Sequence, residues 1–160
     1  MKTKEELILF FTKIKLFELD NDSKKVYDEM LEAFFDATES MDMSYSMCLL
    51  YGIDDETKRL DITQFINDGI ISIYYKHKNK FFQYFLKNIN IIYPHAIHMT
   101  INILSPIIYD DLEARNLLSN SLDSIDSEKI KIFKEIYLLM IEEDEQFYDE
   151  KIMEKLENIS

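Results

Sequence analysis

The chain has 160 residues, with 31 acidic against 18 basic side chains and a formal net charge of −13. That length suits one domain whose core needs no staples, and the charge argues against a surface that coats phosphate backbones. Gly52, Gly69, Pro94 and Pro106 are too few turn residues for a β-protein of this size, so the expected class is all-α.

Thr3 and Glu6 form a capping-box pattern, and Leu7, Phe10, Phe11, Ile14 and Phe17 then recur at helical spacing, predicting a first helix that ends near Leu19. Asp20-Asn21-Asp22-Ser23 reads as a turn. Val26, Met30, Phe34 and Ala37, flanked by Tyr27, Leu31 and Phe35, predict a second helix folded back on the first as an antiparallel hairpin. Tyr45, Met47, Leu49 and Leu50 fit a short helix closed by Gly52. Asp54-Asp55-Glu56 would then set negative charge at the positive end of the helix that follows.

That helix starts at Leu60 and carries Ile62, Phe65, Ile66, Ile70, Ile73 and Tyr74 through Gly69, although the β-branched run from Ile70 to Ile73 also fits a strand. Phe81 to Ile89 predicts another amphipathic helix. Pro94 suits the first turn of the next, which runs to about Leu104 and is stopped by Pro106. Asp110 and Asp111 open a helix through Leu122, and Asp126 caps a longer one carrying Ile130, Phe133, Ile136, Tyr137 and Met140. An acidic C-terminal helix is expected over about 142–157.

Shifting the chain by 33 residues aligns Phe85 with Leu118, Ile89 with Leu122, Ile92 with Ile125, Ile97 with Ile130, Met99 with Ile132 and Ile103 with Ile136. One helical hairpin thus resembles the next. The expected architecture is a single domain, 1–160, of stacked antiparallel helical hairpins, either HEAT-like or an irregular bundle.

Charge is segregated along the chain. Between Gly69 and Tyr109 there is no Asp or Glu, while Lys76, Lys78, Lys80 and Lys87 contribute +4 and leave about −17 for the rest. This pattern predicts a buried apolar centre inside an acidic exterior. Lys76 to Lys87, with Tyr74, Tyr75, Phe81 and Tyr84, is the one stretch able to stack bases, but it reads better as a solvated helix end beside a core. The single Cys48 cannot form an internal disulfide and is expected to be a buried thiol, which fits a cytoplasmic location. No run is long and apolar enough to span a membrane, and the start of the chain lacks the features of a signal peptide.

Sites for chemistry are sparse. His77, His95 and His98 all lie in the acid-free segment, away from any orienting carboxylate in sequence, and no serine sits on a strand-turn-helix elbow. His95 and His98 would share a helix face but lack the Glu-x-x-His pattern of di-iron bundles. Asp20-Asn21-Asp22 begins like a calcium loop, yet Lys25 stands where its glycine belongs. Two glycines cannot build a phosphate loop. Neither enzyme activity nor a metal or cofactor is expected.

The acids fit a basic protein partner better. Asp54, Asp55, Glu56 and the tail residues Glu142, Glu143, Asp144 and Glu145 would create a field that speeds association with a cationic surface. Tyr51 and Tyr148 adjoin these runs, as Tyr45 and Tyr109 adjoin others, and tyrosine brings contact area at low entropic cost.

Three stretches resemble the immunity proteins of bacterial polymorphic toxins and contact-dependent inhibition systems, in particular the group named immunity protein 30. Met47-Cys48-Leu49-Leu50-Tyr51-Gly52-Ile53 resembles that group's Met-x-Leu-Leu-x-x-Ile helix. Phe82 to Ile89 resembles its following amphipathic helix, and Tyr93-Pro94-His95-Ala96 to Leu104 its Pro-containing helix. The resemblance spans roughly residues 45–108. It implies a non-enzymatic cytoplasmic inhibitor, monomeric or weakly dimeric, that binds the C-terminal domain of a cognate toxin. Such toxins include basic nucleases, the EndoU-type ribonucleases among them. The competing expectation is a helical adaptor that presents a surface to a peptide or subunit.

Overall fold

A computed structural model describes residues 1–15 and 24–158. Among the described residues it holds nine α-helices and no strand: α1 (Lys4–Ile14), α2 (Lys24–Thr38), α3 (Met43–Ser46), α4 (Leu60–Lys76), α5 (Lys78–Lys87), α6 (Ile97–Ile108), α7 (Leu112–Leu122), α8 (Ser127–Glu143) and α9 (Glu150–Glu157). Short 3-10 turns cover Met47–Gly52, Ile89–Ile91 and Glu145–Phe147. The expected all-α class is what forms. The predicted end of the first helix near Leu19 and the turn at residues 20–23 lie outside the described residues.

The helices stack in two layers. α2, α4, α6 and α8 pack in succession as one layer, and α5, α7 and α9 as the other. Within a layer the helices run the same way. Tyr27 near the start of α2 bonds Asp61 near the start of α4, and Lys76 at the end of α4 bonds Glu39 just past the end of α2. α4 with α5, α6 with α7 and α8 with α9 pack as successive pairs, which is compatible with both stacked hairpins and an irregular bundle. The first unit is irregular, because α1 packs on the Met47–Gly52 turn and α3 reaches α5. Lys2 donates to Asp36 at 2.8 Å, which brings the start of α1 to the far half of α2 as the predicted hairpin requires.

The sequence repeat coincides with this stack. Phe85 and Leu118, Ile89 and Leu122, Ile92 and Ile125, and Ile103 and Ile136 are buried in both members of each pair, whereas Ile97, Met99 and Ile132 of the other two pairs are only half-buried. Equivalent positions on successive hairpins thus fill the seam between layers. The acid-free segment supplies the centre of that seam: Ile73, Tyr74, Phe81, Phe85, Ile103 and Leu104 are all fully buried. Each such side chain contributes about 1.5–3 kcal/mol through removal of its surface from water. Edge-on and stacked rings at Tyr74, Phe81, Phe82 and Phe85 tighten the packing of α4 on α5.

The helical reading of residues 70–73 holds over the strand alternative, and several other local expectations are corrected. Ile70 to Ile73 is helix, continuous with α4, because Ile66, Ile70, Ile73 and Tyr74 form one buried helical face. Gly52 ends a 3-10 turn instead of an α-helix, and a side chain there would come within 2.7 Å of Ile66 Cδ1. Pro94 precedes α6 instead of opening it. The carboxylate of Asp55 accepts the backbone N–H groups of His98 and Met99, and so fixes the start of α6 at Ile97. Pro106 lies inside the last turn of α6, on an exposed face, where the carbonyl of exposed Asn102 that loses its partner is open to water.

The single acidic helix over 142–157 is also corrected, since the chain breaks there. α8 ends at Glu143, Asp144 caps the turn Glu145–Phe147, and Asp149 caps α9. Buried Phe147 anchors the break, and the Tyr137 hydroxyl donates to its carbonyl.

Candidate functional site

The two acidic groups singled out from the sequence occupy opposite ends of α6. Asp55 meets the first turn of α6, whereas the Glu142–Tyr148 stretch reaches Tyr109, just past the last turn. A helix of 12 residues separates them by about 18 Å. The structure does not join them into one patch.

At the first end the acids serve the fold more than the solvent. Asp54 is half-buried and accepts the N–H of Glu56 at 2.9 Å. Asp55 uses both carboxylate oxygens on α6, at 3.0 Å to His98 and 2.8 Å to Met99, and its own N–H donates to the His95 carbonyl. It is thus the negative charge at a helix N-terminus that the sequence pattern called for, but on α6 instead of α4. Glu56 is exposed, and Tyr51 packs against the edge of the core.

The other end forms a built surface. Glu142, Glu143 and Glu145 are exposed, while Asp144 accepts the N–H of Gln146 at 2.9 Å. Tyr148 is 52% and Tyr109 40% exposed, and Leu112 at the start of α7 is 71% exposed. Arg115 holds the two tyrosine segments in place. Its guanidinium donates to the carbonyl oxygens of Ile108 (2.8 Å), Tyr109 (2.6 Å), Gln146 (2.6 Å) and Tyr148 (3.3 Å). The planar fork of arginine serves both chain segments at once, which lysine cannot do. Tyr109 adds a hydroxyl bond to Gln146 Oε1 at 2.8 Å and an edge contact with the Phe147 ring.

A shallow cleft bounded by Tyr109, Asp110, Leu112 and Asp149 lies beside this clamp. Asp111 and Asp149 spend an oxygen each on capping α7 and α9, whereas Asp110 is exposed. The result is a surface of fixed aromatic and aliphatic contacts set among carboxylates, suited to Lys or Arg side chains. Sequence reasoning missed Arg115 and Leu112. Its one available signal was rarity, since Arg59 and Arg115 are the only arginines among 18 cations.

The other arginine is also a clamp. Arg59 is 3% exposed and pairs with Asp61 at 3.0 Å and the Tyr27 hydroxyl at 3.2 Å. The guanidinium hydrogen bonds hold the Asp61 carboxyl down at about 2. Cys48 is buried as expected, and burial pushes its thiol up to about 11.

The histidines stay apart. His77 joins α4 to α5, His95 sits in the turn before α6, and His98 is exposed on α6. No group of three His, Cys, Asp or Glu side chains among the described residues is arranged to hold a metal ion. In the basic stretch, Lys76 pairs with Glu39 and Lys78 with Glu113, and Tyr74 and Phe81 are buried. Two of its four lysines and two of its four rings are thereby committed to the fold. Among the described residues no helix is long and apolar enough to cross a membrane. Comparison with protein-family models, with curated proteins and with solved structures found no match.

Proposed function

We propose that this chain is a non-enzymatic binder, an immunity protein that neutralises a basic bacterial toxin domain in the cytoplasm by covering its active surface. The observation that carries the reading is the Arg115 clamp, which fixes the backbone of exposed Tyr109 and Tyr148 on a surface that also carries exposed Leu112, Asp110, Glu142, Glu143 and Glu145. Pre-organised aromatic contacts with an acidic surround are the features that give a protein interface both residence time and a fast encounter. The resemblance of residues 45–108 to immunity proteins supplies the class of partner, a toxin C-terminal domain such as a basic nuclease. The Glu142–Tyr148 stretch is the proposed contact, and Glu56 with Asp54 extends the field at the other end of α6.

The test is surface plasmon resonance with a purified basic toxin domain encoded beside this gene. The expected result is stoichiometric binding whose association rate falls at least about tenfold between low and physiological salt. Tyr109→Ala with Tyr148→Ala should weaken affinity by about tenfold or more through a faster off-rate. Binding that ignores both salt and these side chains would contradict the proposed contact.

The two-layer stack favours one other reading, an adaptor that presents its helices to a subunit of ordinary cellular function. An adaptor would bind such a subunit stoichiometrically and give no protection to a poisoned cell.

A further inference from the structure

The two ends of the helical stack are finished differently. Stacked hairpins bury each layer against the next and close with a helix whose outer face is polar. The C-terminal end follows that rule more closely, with Lys151, Glu154 and Glu157 exposed on α9 and Lys131, Glu135 and Glu142 exposed around a single apolar side chain, Leu138 at 44%, on α8. The N-terminal end does not. On α2, Leu31 is 41% and Phe35 56% exposed, and the ring of Tyr27, 36% exposed, continues the line one turn earlier.

Spacing of four residues aligns these three side chains in a stripe about 12 Å long, two turns of helix. The stripe is firmly backed. Phe34, next to Phe35, packs its ring on Phe65 at a centroid distance of 4.2 Å and lies over the bare backbone of Gly69. α2 is therefore seated on α4 by its inner face, with the stripe left outside.

Charge identifies what fits there. Exposed Asp28 and Glu32 lie along one flank of the stripe, while Asp61, bonded to the Tyr27 hydroxyl at 3.1 Å, borders it from α4 with its charge already paired to Arg59. Lys24 and Lys25 stand at the start of α2, before the stripe. A second copy of this chain would bring Asp28 and Glu32 of both molecules into one interface on a protein of net charge −13, a like-charge arrangement that opposes pairing. We infer that the exposed face of α2 docks a basic amphipathic helix of another protein, with apolar anchors on Leu31 and Phe35 and Lys or Arg beside Asp28 and Glu32. A helix-in-groove ligand with anchors at i, i+4 and i+7 matches the stripe in length and chemistry. The inference is independent of the Arg115 face, which belongs to the opposite end of the stack.

The experiment titrates the full chain into a fluorescent peptide of about four helical turns, with Leu at alternating third and fourth positions and Lys elsewhere, at about 0.15 M salt. Binding should occur, should weaken by about tenfold in L31S/F35S, and should be unchanged in E154Q/E157Q, which removes two exposed acids from α9 and so controls for general acidity. Replacing the peptide lysines by glutamate should abolish binding. Circular dichroism of L31S/F35S should match the parent, since both side chains are exposed, and hydrogen exchange should show peptide-dependent protection of α2 in the parent. Equal binding by parent and L31S/F35S would overturn the inference in favour of charge alone. A parent dimer dissolved by L31S/F35S would overturn it in favour of a second copy, and absence of peptide binding or of α2 protection would also overturn it.

Discussion

Two tyrosines show how burial and partnership separate at the residue scale. Tyr74 and Tyr137 are both fully buried, and burial pushes each hydroxyl up to about 12. The Tyr137 hydroxyl donates to the Phe147 carbonyl, whereas that of Tyr74 has no partner among the described residues. Tyr137→Phe should therefore lower stability by about 1 kcal/mol, and Tyr74→Phe should leave it unchanged or raise it. Urea unfolding of the two variants checks the contrast. Because both folded values lie above the ordinary tyrosine value near 10, the stability they confer is complete below about pH 10 and is lost as pH rises toward about 12. At the acid end Asp61 has the opposite sign. Its folded value of about 2 lies below the ordinary value near 4, so its contribution is complete above about pH 4 and is lost as pH falls toward 2. Asp61→Asn should flatten the decline in stability across that window, as read from melting temperature against pH. A decline as steep as the parent's would show that the Arg59 pair does not govern it.

At the scale of elements, aspartates do the work of positioning helices. Asp111, Asp126 and Asp149 each accept a backbone N–H in the first turn of the helix they precede, and Asp55 does the same for α6 from a distant segment. Asp55→Ala should cost about 1–2 kcal/mol and increase hydrogen exchange at the start of α6, and Asp149→Ala should do likewise for α9. Unchanged exchange in either helix would refute its cap. This division explains what was legible in the sequence. The caps at Asp111 and Asp126 lie immediately before periodic apolar runs, so α7 and α8 could be placed within about two residues. The Asp55 cap joins residues more than forty apart, which no local pattern records, so the start of α6 at Ile97 is not legible from Pro94, while exposed Asn102 lets the helix run past Pro106. The break at Asp144 was hidden because glutamate-rich sequence favours helix by propensity, while the burial of Phe147 is a tertiary choice. The Arg115 surface was legible only in part. Tyr148 and the acids stand out, but the four carbonyl groups that bind Arg115 come from two segments about forty residues apart.

For the whole molecule, the 33-residue recurrence is the sequence trace of a stack in which each hairpin buries the next. The glycine beneath Phe34 shows how tightly the first layer is seated. A side chain at residue 69 would lie within 2.9 Å of Phe34 Cζ, so Gly69→Ala should destabilise the protein by about 1–3 kcal/mol and raise hydrogen exchange in α2. A parent-like melting curve would contradict that seating. The glutamates not used as caps project outward and give the protein its field, and the Arg115 clamp turns part of that surface into a rigid contact. The most direct measurement of the proposed role is growth of cells expressing the neighbouring basic toxin domain together with this chain, in parent form and as the Tyr109→Ala, Tyr148→Ala variant. Rescue by the parent with one-to-one co-purification, weakened in the variant, is the predicted result. Failure of the parent to rescue or to co-purify would contradict the account.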